Sequence, residues 1–510
     1  MGNQDRRQFL KAAGAGWAAA AFASTADSSG AATEPGAPAR EIPPHRPLPL
    51  VGVHAYADRV SVAAGGTIRF FISSTVPYEF QICRLGRDPA GPDGDEVLQS
   101  FSVDRPVAQP IHPGSYIHIE RGLPPERLLP ALSLECWVRL WDLAGEQGLM
   151  GQFDATGGGG LALLVRRDGS VGFYLGDGGP VRPEWLHRTE PKVLTRTETT
   201  PPAVPTPTRP AGGGRFVKLS RWHHVVAVFD GQFKEVWVDG RRAGQWEFRE
   251  TVRPGRAPLR IGSLGRDGVA DQFLDADIAM PAIYGRALDG REIVARHRAG
   301  GLEAAKGPNL LGCWPLAEEK GKRVADSSGE GRHGQIINQA TWMIGGPSFD
   351  ASLPRFADYD PAADLTRGHG LRLASDDLYD CRWQPAFTIK IPDDARSGIY
   401  AGRIRFTHEN QPRLYHALFI VTRGPGRPKA PIAFLCSTNT WKAYSGTPFA
   451  DSWPGVAQSI EHAYVNSPGN PPRYSFYWMH EACQSTFQMG MRLPWPVAGP
   501  FTFHGPLEWR

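Results

Sequence analysis

The densest run of groups able to do chemistry follows a short apolar stretch late in the sequence. Ile432-Ala433-Phe434-Leu435 reads as a strand buried on both faces, and Cys436-Ser437-Thr438-Asn439-Thr440-Trp441-Lys442-Ala443-Tyr444-Ser445-Gly446 reads as the polar loop at its carboxyl end. In open α/β sheets such loops hold the functional groups, because ligands enter the crevice outside the strand ends. The serines of this loop lie in no Gly-x-Ser-x-Gly turn, which argues against a nucleophilic serine hydrolase. A second cluster, His223-His224, offers two metal-ligating rings, but neighbours on a strand point to opposite faces and cannot easily bind one ion together. Both histidines are therefore read as structural.

A polar loop of this kind must be held by a domain of several βαβ units of ~30 residues each. Only the stretch 426–510 is available for it, rich in Pro, Trp and Gly, so an α/β domain is started here and left incomplete. Upstream, Phe387-Thr388-Ile389-Lys390-Ile391, Gly398-Ile399-Tyr400-Ala401-Gly402-Arg403-Ile404 and Ala417-Leu418-Phe419-Ile420-Val421 read as strands. So do Val60-Ser61-Val62 and Ile68-Arg69-Phe70-Phe71-Ile72. The expectation is a small Ig-like β-sandwich over 48–115, completed by 346–425.

Between them, Leu132-Ser133-Leu134-Glu135-Cys136-Trp137-Val138 alternates with period two, the pattern of a half-buried strand. Asp230-Gly231 and Asp239-Gly240 are hairpin signals at the ends of Trp222–Phe229 and Glu235–Val238, because glycine adopts φ > 0 without steric cost. Leu259-Arg260-Ile261, Asp277-Ile278-Ala279 and Ala287-Leu288-Asp289 continue the series, and Leu311-Gly312-Cys313-Trp314 with Gly334 reads as a late edge strand on the same sandwich. Taken together the series resembles a laminin-G or concanavalin-like jelly roll over 116–345, with the Pro/Thr/Gly-rich stretch 180–215 as a long exposed loop. The fold class expected is mainly β.

The first 26 residues resemble a twin-arginine export signal: Arg6-Arg7-Gln8-Phe9-Leu10-Lys11, a short apolar run, then small residues suited to cleavage near Ala23 or Ala26. That run is too short to anchor the chain in a bilayer. Residues 27–47, rich in Ala, Pro, Gly and Ser, read as a disordered linker. The expected location is periplasmic or extracellular, with no membrane anchor. Cys83, Cys136, Cys313, Cys381, Cys436 and Cys483 show no metal-binding spacing, and folding before export in a reducing compartment favours buried thiols. A net charge of +4 over 510 residues gives no dense basic field, so no nucleic-acid partner is expected.

The order of parts, from small β-sandwich through jelly-roll insert and Ser397-Gly398-Ile399-Tyr400 to Asn439-Thr440-Trp441-Lys442-Ala443-Tyr444, resembles the large (beta) subunit of the N,N-dimethylformamidase family. The resemblance implies an iron-dependent amidohydrolase that cleaves a small amide by metal-activated water. It implies Tyr400 and Tyr444 as iron ligands, since hard oxygen donors suit Fe(III), with Asn439 and Trp441 at the substrate. The glutamate ligand of that family falls beyond the portion represented here, and neither Glu461 nor Glu481 has its surrounding motif. The jelly-roll resemblance adds calcium as a second cofactor to consider, at Asp275 or Asp326, against the blander role of turn carboxylates. A small accessory subunit and a homo-oligomer stay open as partners. The alternative is an exported laminin-G-like module that binds a glycan or a protein and catalyses nothing.

Overall fold

The computed structural model describes residues 43–86, 94–191, 193–194, 221–349, 369–408, 410–428, 430–443, 448–449, 472, 474, 476, 479–480 and 482–495. The stretch read as an export signal, the predicted linker up to residue 42, residues 195–215 of the predicted loop, Tyr444, Glu461 and Glu481 lie outside them.

Two sandwiches account for the described strands apart from the separate hairpin of Leu264–Arg266 and Val269–Asp271. In the smaller one, Thr67–Ser74 sits between Val53–Ala57 and Pro385–Lys390 in a three-stranded antiparallel sheet. Its partner is a five-stranded sheet in the order Ser61–Ala63, Gln411–Thr422, Gly398–His408, Tyr78–Arg84, Glu96–Val103. Alternate residues Ile68, Phe70 and Ile72 point into the core, where Phe70 meets Phe80 edge-on at 5.0 Å. Early and late strands pair directly, as Tyr78 does with Phe406, so the intervening chain is an insertion between two halves of one domain.

That insertion is the jelly roll. Leu132–Leu140 lies at the centre of one sheet, paired on one side with His223–Phe229 and on the other with Ala276–Tyr284. The facing sheet runs through Leu186–Arg188, Val171–Leu175, Gly158–Val165, Gln147–Asp154, Leu259–Ile261, Tyr116–Ile119, Gly334–Ile337 and Arg323–Val324. Leu134, Cys136 and Val138 face Leu161, Leu163 and Val165 across a single apolar core.

Three local readings change. Not all of 346–425 completes the small sandwich: His369–Leu373 belongs to the jelly roll, where it pairs with Ala276–Tyr284 and Thr341–Ile344, beyond residue 345. Leu371 and Leu373 fill the jelly-roll core, while Arg372 between them donates to the Asp277 carboxylate at 2.8 Å. The first part of 180–215 is not a free loop but is partly packed. Leu186–Arg188 adds an edge strand to Val171–Leu175, and the buried Trp185 meets Phe248 edge-on at 5.5 Å.

Ile432-Ala433-Phe434-Leu435 forms no strand. Ile432, Phe434 and Leu435 are 83%, 83% and 90% exposed, because among the described residues no neighbouring strand covers either face. The loop after it closes instead into a short helix, Thr438–Ala443. All six cysteines are free thiols, and Cys83, Cys136, Cys313 and Cys381 are buried. No helix among the described residues is long and apolar enough to cross a membrane.

Candidate functional site

In Val53–Ala57, Val53 and Ala55 enter the small-sandwich core, so Tyr56 must face the other way. There it stacks on Phe71 at 4.9 Å and tilts against Trp383 at 5.5 Å, within a second apolar cluster that includes Leu493 and Trp495. The C-terminal segment is pinned onto this surface by backbone bonds, Cys381 N–H to Arg492 O at 3.2 Å and Phe449 N–H to Pro494 O at 3.0 Å. The helix Thr438–Ala443 sits at its margin and presents Thr438, Trp441 and Lys442.

Together these elements wall a shallow open cleft lined by Tyr56, Arg59, Leu418, Thr438, Trp441, Lys442, Met491 and Trp495 among others. The lining is aromatic and aliphatic, with Lys442, Arg59, Thr438 and Tyr56 adding polar groups. Lys442 Nζ lies 3.5 Å from Met491 Sδ, and burial pulls the ammonium down to about 8, so it is a hydrogen-bond donor that is still mostly charged at pH 7. Burial likewise lifts the Tyr56 phenol far above its ordinary range and keeps it neutral. No carboxylate or imidazole lines the cleft among the described residues. Such a cleft can hold a small, largely apolar molecule and orient one acceptor oxygen toward Lys442.

The predicted site residues separate. Trp441 lines the cleft, while Asn439 is exposed on the same helix and does not. Tyr400 lies in the small-sandwich core against Phe419, and its hydroxyl donates to Arg396 O at 2.6 Å. Burial raises its pKa, so the hydroxyl is held as a protonated donor. Whether Tyr444 converges with it falls outside the described residues. Replacing Tyr400 with Phe is expected to lower stability by ~0.5–1.5 kcal/mol, the net value of one such bond. Denaturant unfolding measures this; a loss of bound iron with stability unchanged would contradict the structural role.

Among the described residues no group of three or more His, Cys, Asp and Glu side chains could hold a metal. Asp326 instead accepts from the backbone N–H groups of Cys313, Ser328 and Arg332, as a turn carboxylate does. Asp275 is buried and accepts from Ser375 N–H at 2.7 Å. His223 pairs with Asp239 at 2.9 Å and His224 with Glu135 at 2.8 Å, so the two rings serve separate partners.

Lys442 was not nominated from sequence, although it adjoins Trp441. Its value comes from Met491, Leu493 and Trp495, some fifty residues on, a contact no local pattern announces. The acidic pair Asp376-Asp377 gave no signal either, since its partner His480 is reached only through the fold.

Two family models match the chain: one described as N,N-dimethylformamidase beta subunit-like, C-terminal, over residues 364–490, and one described as the concanavalin A-like lectin/glucanases superfamily over residues 115–294. The N,N-dimethylformamidase beta subunit of Paracoccus aminophilus is 26% identical over 441 residues, covering 78% of this chain and 52% of that protein. The beta subunit from an Alcaligenes species is 24% identical over 438 residues, with the same coverage. The chain thus spans about half the length of the curated relatives it matches. A heptameric SAP-like pentraxin from Limulus polyphemus is 12% identical with a TM-score of 0.26, over 51% of this chain and 94% of that one. This chain is thus similar to the N,N-dimethylformamidase beta subunit along most of its length and has a concanavalin A-like jelly roll set inside the part that resembles it.

Proposed function

We propose that this chain is the front portion of an amidohydrolase that acts on a small amide, and that the cleft beside the helix Thr438–Ala443 is where the amide rests. The observation that carries the proposal is that Trp441 and Lys442, inside the segment matched by the beta-subunit model, line one cleft with Tyr56 and Trp495. An N-alkyl group packs on the Trp441 ring, and Lys442 donates to the carbonyl oxygen and so steadies the charge that grows there as the amide is attacked. The attacking water needs a base, and the described lining supplies none. That group must come from elsewhere in the assembled enzyme.

Iron is the cofactor that the resemblance implies. Tyr400 as placed does not fit it, because its hydroxyl is committed to Arg396 O. No step of the reaction is assigned to iron on the described residues; Tyr444 remains the candidate ligand, and loss of bound iron and of any tyrosinate charge-transfer band in a Tyr444→Phe variant is its test. The relatives are named as beta subunits, which favours a companion subunit here too, and co-purification of a second chain tests it.

The functional reading is tested by dimethylamine release from N,N-dimethylformamide. Trp441→Ala is expected to lower kcat/KM roughly 10–200-fold, the range for losing an apolar substrate contact. Export through the twin-arginine route completes the proposal. Changing Arg6 and Arg7 to Lys is expected to hold the precursor in the cytoplasm, and unchanged export would refute it.

A further inference from the structure

Two residues that line the cleft beside Thr438–Ala443 carry positive charge, Arg59 and Lys442, and no carboxylate among the described residues lines it with them. They reach it from different elements, Arg59 from the connection between Val53–Ala57 and Ser61–Ala63 and Lys442 from the helix. Next to Arg59 stands Asp58, whose side chain is buried. Its carboxylate accepts from Arg59 Nη2 at 3.2 Å, and also from Arg69 N–H at 3.0 Å and Arg69 Nε at 3.3 Å. One carboxylate shared between two guanidiniums neutralises only one of them.

The other walls add no negative charge. Thr438–Ala443 contains no acidic residue. Met491, Leu493 and Trp495 are uncharged, and Arg492 among them is held by Asp380 at 3.2 Å. Tyr56 faces the cleft as a neutral phenol. The described groups around Lys442 are thus neutral or cationic, a setting that favours an anion over a neutral molecule of the same shape. Amide hydrolysis produces such an anion. Water breaks the C–N bond, the nitrogen leaves as an amine, and the acyl carbon leaves as an acid whose carboxyl, with an ordinary pKa of ~4, is ionised at neutrality.

We propose that the cleft is also a site for a small monocarboxylate, the acid that hydrolysis leaves behind, held at Lys442 and Arg59 in competition with the next amide. The inference rests on the cleft being where the amide rests. A charge-assisted hydrogen bond is roughly twice as strong as one to a neutral acceptor, so the acid is held more tightly than the amide and slows turnover as it accumulates. Burial brings the Lys442 ammonium down to about 8, so the preference fades as the solution becomes alkaline and that proton is lost.

Acetate and acetamide have nearly the same shape and differ in charge. The ratio of their affinities, measured by calorimetric titration of the whole protein at constant ionic strength, tests the proposal. Acetate is expected to bind more tightly at pH 7, with the ratio falling roughly tenfold by pH 9 as Lys442 deprotonates. Any loosening of the C-terminal wall with pH acts on both ligands alike and cancels in the ratio. Lys442→Met is expected to lower the ratio at pH 7 roughly tenfold as well, since it removes the same charge. Arg59→Gln, at a half-exposed side chain, is expected to lower it too and keeps the question decidable if the first variant fails to fold. Equal affinities at pH 7, or a preference for acetate that is the same at pH 7 and pH 9, overturns the proposal. Turnover separates it from the reading beneath it. Cleavage of N,N-dimethylformamide with no inhibition by formate overturns the proposal and leaves the amide site standing. A preference for acetate that Lys442→Met removes, in a protein that cleaves no amide, supports the carboxylate site and overturns the amide reading.

Discussion

Replacing Glu135 with Ala is expected to destabilise the jelly roll by ~3–5 kcal/mol, the usual loss when one member of a buried ion pair is removed. Its carboxylate is 1% exposed and accepts from His224 Nε2 at 2.8 Å, Tyr284 Oη at 2.6 Å and Arg296 Nε at 2.7 Å. Burial alone would raise its pKa, but the His224 hydrogen bond and the Arg296 charge more than offset this and keep it ionised. Arg296 comes from the helix Gly290–Arg298, whose start is capped by Asp289 accepting from Glu292 N–H at 2.8 Å. The network therefore fastens that helix to the central strands. Alanine would strand the Arg296 guanidinium over the Tyr284 ring with no counter-ion. Denaturant titration followed by tryptophan fluorescence, with Trp137 stacked on His224 at 4.8 Å as reporter, measures the loss. A change below about 1 kcal/mol would show that the network contributes little.

The second large effect is a dependence on pH. His480, from the C-terminal segment, donates from Nδ1 to Asp376 at 2.6 Å and faces Asp377 at 4.0 Å, with its ring stacked on Tyr474 at 4.2 Å. Burial opposes its charge, but Asp376, Asp377 and Asp275 outweigh burial and push it up to about 9. Asp275 and Asp377 are both pushed up to about 7, first by burial and, for Asp275, next by the charge of Asp376; Ser115 Oγ donates to Asp377 at 2.6 Å. A raised pKa means that the folded state binds more protons than the unfolded one, so stability falls as pH rises. The aspartates' contribution is present below about pH 4 and lost through about 7, and that of His480 is present below about 6.5 and lost through about 9. Hydrogen exchange is expected to show residues 482–495 opening progressively from pH 5 to 9 after correction for intrinsic rates. His480→Asn should be open at pH 7 to the extent that the wild type is at pH 9. Protection that rises with pH would contradict this account. Because this segment supplies Met491, Leu493 and Trp495 to the cleft, ligand binding should weaken over the same range.

Period-two alternation was enough to place Leu132–Leu140 and to say which residues face the core. It could not say what covers the other face. Glu135 reads from sequence as a residue of a half-exposed surface, and only the docking of Gly290–Arg298, more than 150 residues later, turns it into a buried ion pair. The same reasoning explains Ile432–Leu435: an apolar run predicts burial, but burial needs partners, and the described residues bring none. The boundary at 345 placed His369–Leu373 in the wrong sandwich because strands of both domains share one pattern, and pairing across an insertion is set by tertiary packing. At the candidate site, Trp441 was legible from its loop, whereas Lys442 acquires its shifted pKa from a segment distant in sequence. Tyr400 looked chemical by resemblance and is committed to its own strand's entry turn through Arg396 O.

The most direct test of the central claim is hydrolysis of N,N-dimethylformamide by the protein expressed from its natural reading frame, with wild type and Trp441→Ala compared at pH 7. The account predicts dimethylamine release by the wild type and a roughly 10–200-fold lower kcat/KM in the variant with its fold intact. Hydrolysis untouched by the substitution would place the amide elsewhere, and a folded wild type that cleaves no small amide would contradict the proposed function itself.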